Sequence, residues 1–281
     1  MGAELRRLRT GAGMHLDEVA DQLHCSTSKV SRLETGKGLP KLADVRELIR
    51  IYDVSGDAER DLLLRLVRES RTEGWWESYT EGVAPEPFVL DAHARYTALE
   101  TEASAVRAFD NAALHGLLQI PSYTRALMDA LLPDRSPDQI EQLVALRTRR
   151  QEALTRSDRP LELAVVLDEA VLNRRVGGAD VMEEQLRFVL ELSSRPFVQV
   201  QVLPFEAGVH RVHAGSFSIL EFAADEVPDL VYLETRGEGE YLEGVSDVDL
   251  YKDAFADVTD HALGPEASRA LIGRYADSPS S

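Results

Sequence analysis

Five polar side chains, Thr27, Ser28, Lys29, Ser31 and Arg32, follow one another with only Val30 between them. Their combined chemistry is that of groove reading. An arginine fork can chelate a guanine, hydroxyls reach bases or phosphates, and a lysine neutralises a phosphate. To act together they must be raised on one face of a short helix whose opposite face is buried, and Val30 and Leu33 supply that buried face. Just upstream, Leu16, Val19, Ala20 and Leu23 recur at i, i+3, i+4 and i+7, the apolar face of another short helix. His24, Cys25 and Ser26 interrupt it, Ala20 is small where two helices must approach, and Gly36 and Pro40 stop the second helix. Residues 16–40 therefore read as a helix-turn-helix that binds DNA; two amphipathic helices joined this way also occur in plain helical bundles.

Other residues carry weaker chemical signals, each with a bland alternative. Arg147, Arg149, Arg150 and Gln151 form a basic stretch at a helix end, suited to an anionic ligand or an acidic partner. The plain alternative is a solvated face pairing with Glu141 or with the negative end of its own helix. Trp75, Trp76 and Tyr79 could stack on a ligand, or pack between two domains. His210 and His213, with Glu206 and Glu221 nearby, hint at metal ligation, but HxxH on a loop lacks the geometry that aims two imidazoles at one ion, so no metal is expected. Asp168 and Glu169 follow an apolar strand, where α/β enzymes place carboxylates; capping of the next helix by Asp168 is the plainer reading. With no glycine-rich phosphate loop, nucleophile elbow or catalytic triad order, neither enzyme activity nor a cofactor is expected. Cys25 is the only cysteine, which excludes an internal disulfide and suits a small residue buried in the turn.

The formal net charge is −18, which looks wrong for a partner of polyanionic DNA. The charge is divided unequally. Residues 1–50 hold nine basic and seven acidic residues, a net of +2, whereas residues 51–281 hold 22 basic and 42 acidic ones, a net of −20. Attraction to phosphate is local, so a mildly basic head suffices and the acidic remainder opposes indiscriminate binding. A weak monomeric site then calls for a homodimer on an inverted-repeat operator in double-stranded DNA. No apolar run approaches the ~20 residues that cross a bilayer, and residues 1–14 lack the apolar centre of a signal peptide. A cytoplasmic protein without membrane association is expected.

Periodicity divides the chain into an all-α head and a mixed α/β (α+β) effector domain. Helices are expected over residues 3–12, within 16–40, over 42–52 and over 57–70, giving a five-helix helix-turn-helix head across 1–70. Gly74 and the Pro85 to Pro87 segment break the pattern, so residues 71–88 read as a linker. Within 89–275, strands are expected over 105–109, 161–167, 198–203, 216–222 and 230–234. The Val-Gln-Val-Gln-Val run of the third has one wet face. Helices are expected over 91–104, 123–132, 136–155, 181–192, 248–263 and 266–275. Ser136 caps the third of these with Pro137 at its first position, and residues 276–281 form a disordered tail.

The string VSRLETGK, with the two helices before it, resembles the lambda-repressor-like (XRE) family of regulators. The resemblance implies that Thr27, Ser28, Lys29 and Arg32 face bases or adjoining phosphates and that Thr35 and Lys37 hold the sugar-phosphate backbone. It also implies an ion pair from Arg9 to Glu34 tying the first helix to the end of the recognition helix. Leu16 stands where many members place Gln, and His24 stands where the turn usually has Gly. Its backbone is therefore either less left-handed than the family's or mildly strained. Further on, GLLQ (116–119), LRTRRQEALT (146–155), VVLDEAVLNRRVGG (165–178), VQVQVLPFEAGVH (198–210), GSFSILEF (215–222) and VYLETRGEGEYL (231–242) resemble the domain of unknown function that follows this head in many actinobacterial regulators. His115 and Ile120 depart from its usual Pro and Thr. The resemblance implies a transcription regulator modulated by a small protein encoded by a neighbouring gene, or by a small-molecule effector. Its rival is an antitoxin-like protein that sequesters such a partner and binds DNA only for autoregulation.

Overall fold

The structure, a computed structural model, describes residues 2–34, 41–54, 56, 60, 63–64, 75–76, 79, 94–212, 215–223, 228–234 and 239–277. Contacts divide the chain into two units, Met1–Trp75 and Trp76–Ser281.

In the first unit, apolar residues at helical spacing fold α1 (Gly2–Gly11), α2 (Leu16–Gln22), α3 (Thr27–Glu34) and α4 (Leu42–Ile51) onto one core. That core contains Leu5, Val19, Ala20, Val30, Leu33, Val45, Leu48 and Ile49, with Cys25 half-buried against it. Of the fifth helix expected over 57–70, Arg60, Leu63 and Leu64 are described; all three are helical and Leu63 is wholly buried. The remainder of that segment lies outside the described residues.

Helices α1, α2 and α4 end in the same way. The residue two past each helix takes a positive φ, namely Gly13 (68°), His24 (50°) and Asp53 (51°). The following amides, of Met14, Cys25 and Val54, then donate back to the carbonyls of Arg9, Ala20 and Ile49. These are Schellman closures, which satisfy helix-end carbonyls at the cost of a left-handed residue. His24 is thus fully left-handed, and the strained alternative is the one adopted. The reason is topological, because the turn must reverse the chain within three residues, and Ser26 at once caps α3 by accepting the Lys29 amide at 3.2 Å. His24→Gly should therefore stabilise the head by about 1 kcal/mol. Gly13→Ala, in open space at φ 68°, should lose a similar amount. Thermal denaturation monitored by circular dichroism checks both, and a His24→Gly protein that melts no higher than wild type would show the turn to be unstrained.

The second unit is built on a six-stranded sheet of order β3-β2-β1-β4-β5-β6. Its strands are β1 (Ala105–Asp110), β2 (Glu162–Asp168), β3 (Val198–Leu203), β4 (Phe217–Glu221), β5 (Leu230–Leu233) and β6 (Glu240–Leu242). β1, β2 and β3 run parallel through helical crossovers, whereas β4, β5 and β6 form an antiparallel meander on the other side of β1. Alternate residues serve two cores. Val106, Leu163, Val165, Leu167, Val200 and Val202 point to one, and Phe109, Val166, Phe217, Ile219 and Val231 to the other. The first face is covered by α5 (Ala94–Glu102), α6 (Pro121–Leu131), α9 (Ala179–Leu192) and α11 (Pro265–Asp277), the second by α10 (Val245–His261). Between them lie α7 (Pro137–Arg150), capped by Ser136 with Gln139 reciprocating, and α8 (Glu169–Asn173).

Three expectations need correction. The sheet has a sixth strand, β6, too short and too glutamate-rich to signal itself. The face of β3 expected to be wet is wet only at Gln199: Gln201 is buried and donates to the Leu263 carbonyl at 3.0 Å. The Leu263–Ser268 segment closes this edge, with the Leu263 amide donating to Val202 and the Val202 amide to Ser268 Oγ, as edge strands require. Finally, α11 runs to Asp277, so residues 276 and 277 are helical rather than tail; residues 278–281 lie outside the described residues.

Candidate nucleic-acid interface and the chemistry of the second unit

Helix α3 positions its side chains by a division of faces. Val30 and Leu33 are buried, while Thr27, Ser28 and Arg32 are exposed and Lys29 and Ser31 half-buried. Thr35 and Lys37 lie outside the described residues. Lys29 Nζ sits 2.8 Å from Asp44 in the first turn of α4, so a phosphate reaching Lys29 competes with an internal carboxylate.

At the end of α3, Glu34 turns inward and is only 8% exposed. Arg9 of α1 meets it in a fork, Nε to Oε1 at 2.6 Å and Nη2 to Oε2 at 3.0 Å, and Arg9 Nη1 donates to the Met14 carbonyl at 2.9 Å. The hydrogen bond to Glu34 raises the Arg9 pKa above its ordinary value. Tyr52 lies near the pair; burial first, and then the Glu34 charge, raise its phenol well above the ordinary range. The fork braces α1, the loop after it and the end of α3. Removing one member of a half-buried, charge-assisted bond leaves the other without its partner. Arg9→Ala should therefore lower the head's stability by about 2 kcal/mol, and a melting temperature equal to wild type would show that the fork holds nothing.

In the second unit the basic stretch is not a surface. Ile140, Leu143, Val144, Arg147 and Arg150 share the inward stripe of α7, and both arginines are buried, at 2% and 3% exposure. Arg147 donates to Gln119 Oε1 at 2.7 Å, and Gln119 also accepts from Thr124 and donates to the Leu114 carbonyl. Gln151 donates to the Gln119 backbone carbonyl. Arg150 forms a fork with Glu100 of α5 at 2.6 and 2.7 Å. Neither the anion-binding nor the solvated reading of Arg147, Arg150 and Gln151 therefore describes them: they are internal ties. Arg149, paired with Glu152, is the residue of that stretch at the surface, and Glu141 takes Arg125 instead. The missed signal was the period, since an apolar stripe that runs on into arginines means buried arginines.

The remaining candidates are also accounted for internally. Asp168 caps α8 by accepting the Ala170 amide at 2.8 Å. Glu169 accepts from the Phe205 amide and the Tyr275 hydroxyl, each at 2.9 Å, and burial and then that carboxylate push the Tyr275 phenol up to about 12. His210 packs edge-on against Phe109, Glu221 pairs with Arg107, and His213 lies outside the described residues. Among the described residues no group of three or more metal-ligating side chains comes together. Trp75 and Trp76 are half-buried in a turn.

A cleft opens at the end of β1, lined by Asp110, His115, Ser216, Phe217, Tyr232 and Glu234 with Tyr96 at its side. Its volume is about 340 Å³ with the open solvent at its mouth included, and its interior has room for about one water. It is not the roomy apolar pocket of a sensor for large ligands. No described helix is long and apolar enough to cross a membrane.

Comparison with known proteins accords with this division. No curated protein and no solved structure matches the chain. A family model described as a helix-turn-helix domain matches residues 1–63, which supports a DNA-binding regulator. A second, described as a domain of unknown function (DUF5753), matches residues 93–274. The chain belongs to the DUF5753 family, in which it carries an XRE-like helix-turn-helix head ahead of the family domain.

Proposed function

We propose that the protein is a sequence-specific transcription regulator that binds an inverted-repeat operator as a homodimer, with its second unit receiving the signal that alters DNA affinity. The observation that carries this is α3 itself. Thr27, Ser28 and Arg32 are exposed along a helix pinned by Val30, Leu33 and the Arg9–Glu34 fork. In this reading those three side chains, with Ser31, Lys29 and the following Thr35 and Lys37, make the base and phosphate contacts. A head of net +2 holds DNA weakly by charge alone, so dimerisation supplies the affinity and base contacts the specificity. A signal acts only by binding the DNA-competent and incompetent arrangements unequally. A small protein from a neighbouring gene, or a small molecule, is the source proposed. The protein works in the cytoplasm and is not an enzyme; its candidate carboxylates Asp168 and Glu169 already serve as a cap and an internal tie.

The test is a genome-wide map of bound DNA with and without the neighbouring small protein. A shared inverted repeat whose occupancy changes with the partner is the expected result. Occupancy confined to the protein's own promoter would replace the proposal with an autoregulated, antitoxin-like module, and the absence of any specific site would overturn it.

A further inference from the structure

We propose that Asp44 is an internal stand-in for a DNA phosphate, which competes for Lys29 and so limits the sequence-independent part of DNA binding. The proposal rests on the regulator reading and assigns a residue that tunes it. Lys29 lies in the first turn of α3, where its amide donates to the Ser26 cap. A cation there is opposed by the positive end of the helix, and α3 has no acidic residue in that turn to offset it. The place suits a lysine only when an anion faces it. A phosphate would supply one on the duplex, and Asp44 supplies one within the chain, 2.8 Å from Lys29 Nζ. Asp44 in turn lies in the first turn of α4, where the positive helix end favours a carboxylate.

The pair is preformed by packing. Val30 and Val45, the residues following Lys29 and Asp44, are 1% and 0% exposed in the same core, which fixes both backbones. Only the flexible lysine stem has to move for its ammonium to reach a phosphate. Asp44 cannot follow it outward: its side chain is 17% exposed against 40% for Lys29, and its Oδ2 is shielded from water with the ammonium facing it. Other ion pairs of the head do different work. Arg9–Glu34 is a buried brace, and Arg7–Glu4 and Arg50–Glu47 each lie within one helix. Lys29–Asp44 instead joins a candidate DNA contact to a carboxylate on the next helix.

The consequence for binding follows from counterion release. A lysine that neutralises a phosphate releases about 0.9 of a condensed counterion, which sets its share of the affinity and of the salt slope. When that lysine first leaves a carboxylate, the bared carboxylate loses its counter-charge, so the net gain is smaller. The penalty is the same on every sequence, because phosphates carry no sequence information. Asp44 therefore lowers the charge-driven affinity without touching the base contacts.

The test uses the full-length protein, a labelled mixed-sequence duplex and fluorescence anisotropy across a KCl series. Wild type is compared with Asp44→Asn, Lys29→Ala and the double variant, each first shown by circular dichroism to be folded. Asp44→Ala takes the place of Asp44→Asn should the latter fail to fold. Asp44→Asn is expected to bind the duplex roughly threefold or more tighter at low salt, with a salt slope steeper by up to about 0.9 per head. The same change made in the Lys29→Ala background should give neither gain, because the cation it releases is gone. A merely structural role for Asp44 would lower the melting temperature without raising DNA affinity. Three results would overturn the proposal. Unchanged binding by Asp44→Asn would mean that the carboxylate does not compete, and weaker binding would mean that it positions Lys29 for the phosphate. An equal gain with and without Lys29 would mean that Asp44 acts only through the general charge of the head. In each of these the wild type still binds the duplex and the regulator reading stands; if no form binds any duplex at any salt, that reading falls and the role of Asp44 falls with it.

Discussion

Glu100→Gln is expected to destabilise the second unit by about 3–5 kcal/mol, lowering its melting temperature by roughly 10 °C. Glu100 and Arg150 are each almost wholly buried, with side chains 2% and 1% exposed. The glutamine keeps the volume and one acceptor but removes the charge, leaving a guanidinium in the interior without its counter-ion. Desolvating that cation is the dominant cost, and neither the Tyr96 ring nor the negative end of α7 compensates for a full charge. The pair need not be stabilising against an apolar alternative, so the double variant Glu100→Leu/Arg150→Met should recover much of the loss. Urea denaturation followed by circular dichroism distinguishes the cases. A single variant as stable as wild type would mean that the fork between α5 and α7 contributes nothing. A double variant as damaged as the single one would mean that specific geometry, rather than unpaired charge, is what was lost.

The same pair marks where sequence reading stopped. Helix–strand alternation was legible because local periods dictate it: the Val-Gln alternation of β3 and the β-branched run of β2 give strands whose ends agree with the structure to within a residue or so. Ser136 with Pro137 announced the start of α7, since a cap is a local device. What failed was non-local. Gln201 reads as solvent-facing from its own strand, and is buried because a segment over sixty residues later covers that edge. Arg147 and Arg150 read as a basic surface from the composition of their stretch; only with Gln119 and Glu100 brought beside them are they internal. His24 shows the intermediate case. Its departure from glycine was visible, but whether the backbone would relax or accept strain depended on the Schellman closure through Cys25. The cleft gave no signal at all, since Asp110, Ser216 and Glu234 meet only through the order of the sheet.

Arg32→Ala is expected to abolish specific operator binding without unfolding the protein. Arg32 is exposed on α3, so its loss opens no cavity in the core. A bidentate arginine–guanine contact contributes about 1–3 kcal/mol of discrimination, and a dimer loses it at both half-sites, so a combined loss of about 2–6 kcal/mol, roughly 30-fold to ten-thousand-fold in affinity, follows. Lys29→Ala is the informative companion. A phosphate contact carries no sequence information, so this change should weaken all DNA alike and reduce the salt slope by about 1. The reduction should be smaller than for an uncommitted lysine, because Lys29 is already shared with Asp44 at 2.8 Å. Fluorescence anisotropy on operator and scrambled DNA across a salt series separates the two. If Arg32→Ala weakens operator and scrambled DNA equally, Arg32 touches phosphate rather than base; if it weakens neither, α3 does not enter the groove and the regulator reading loses its central contact.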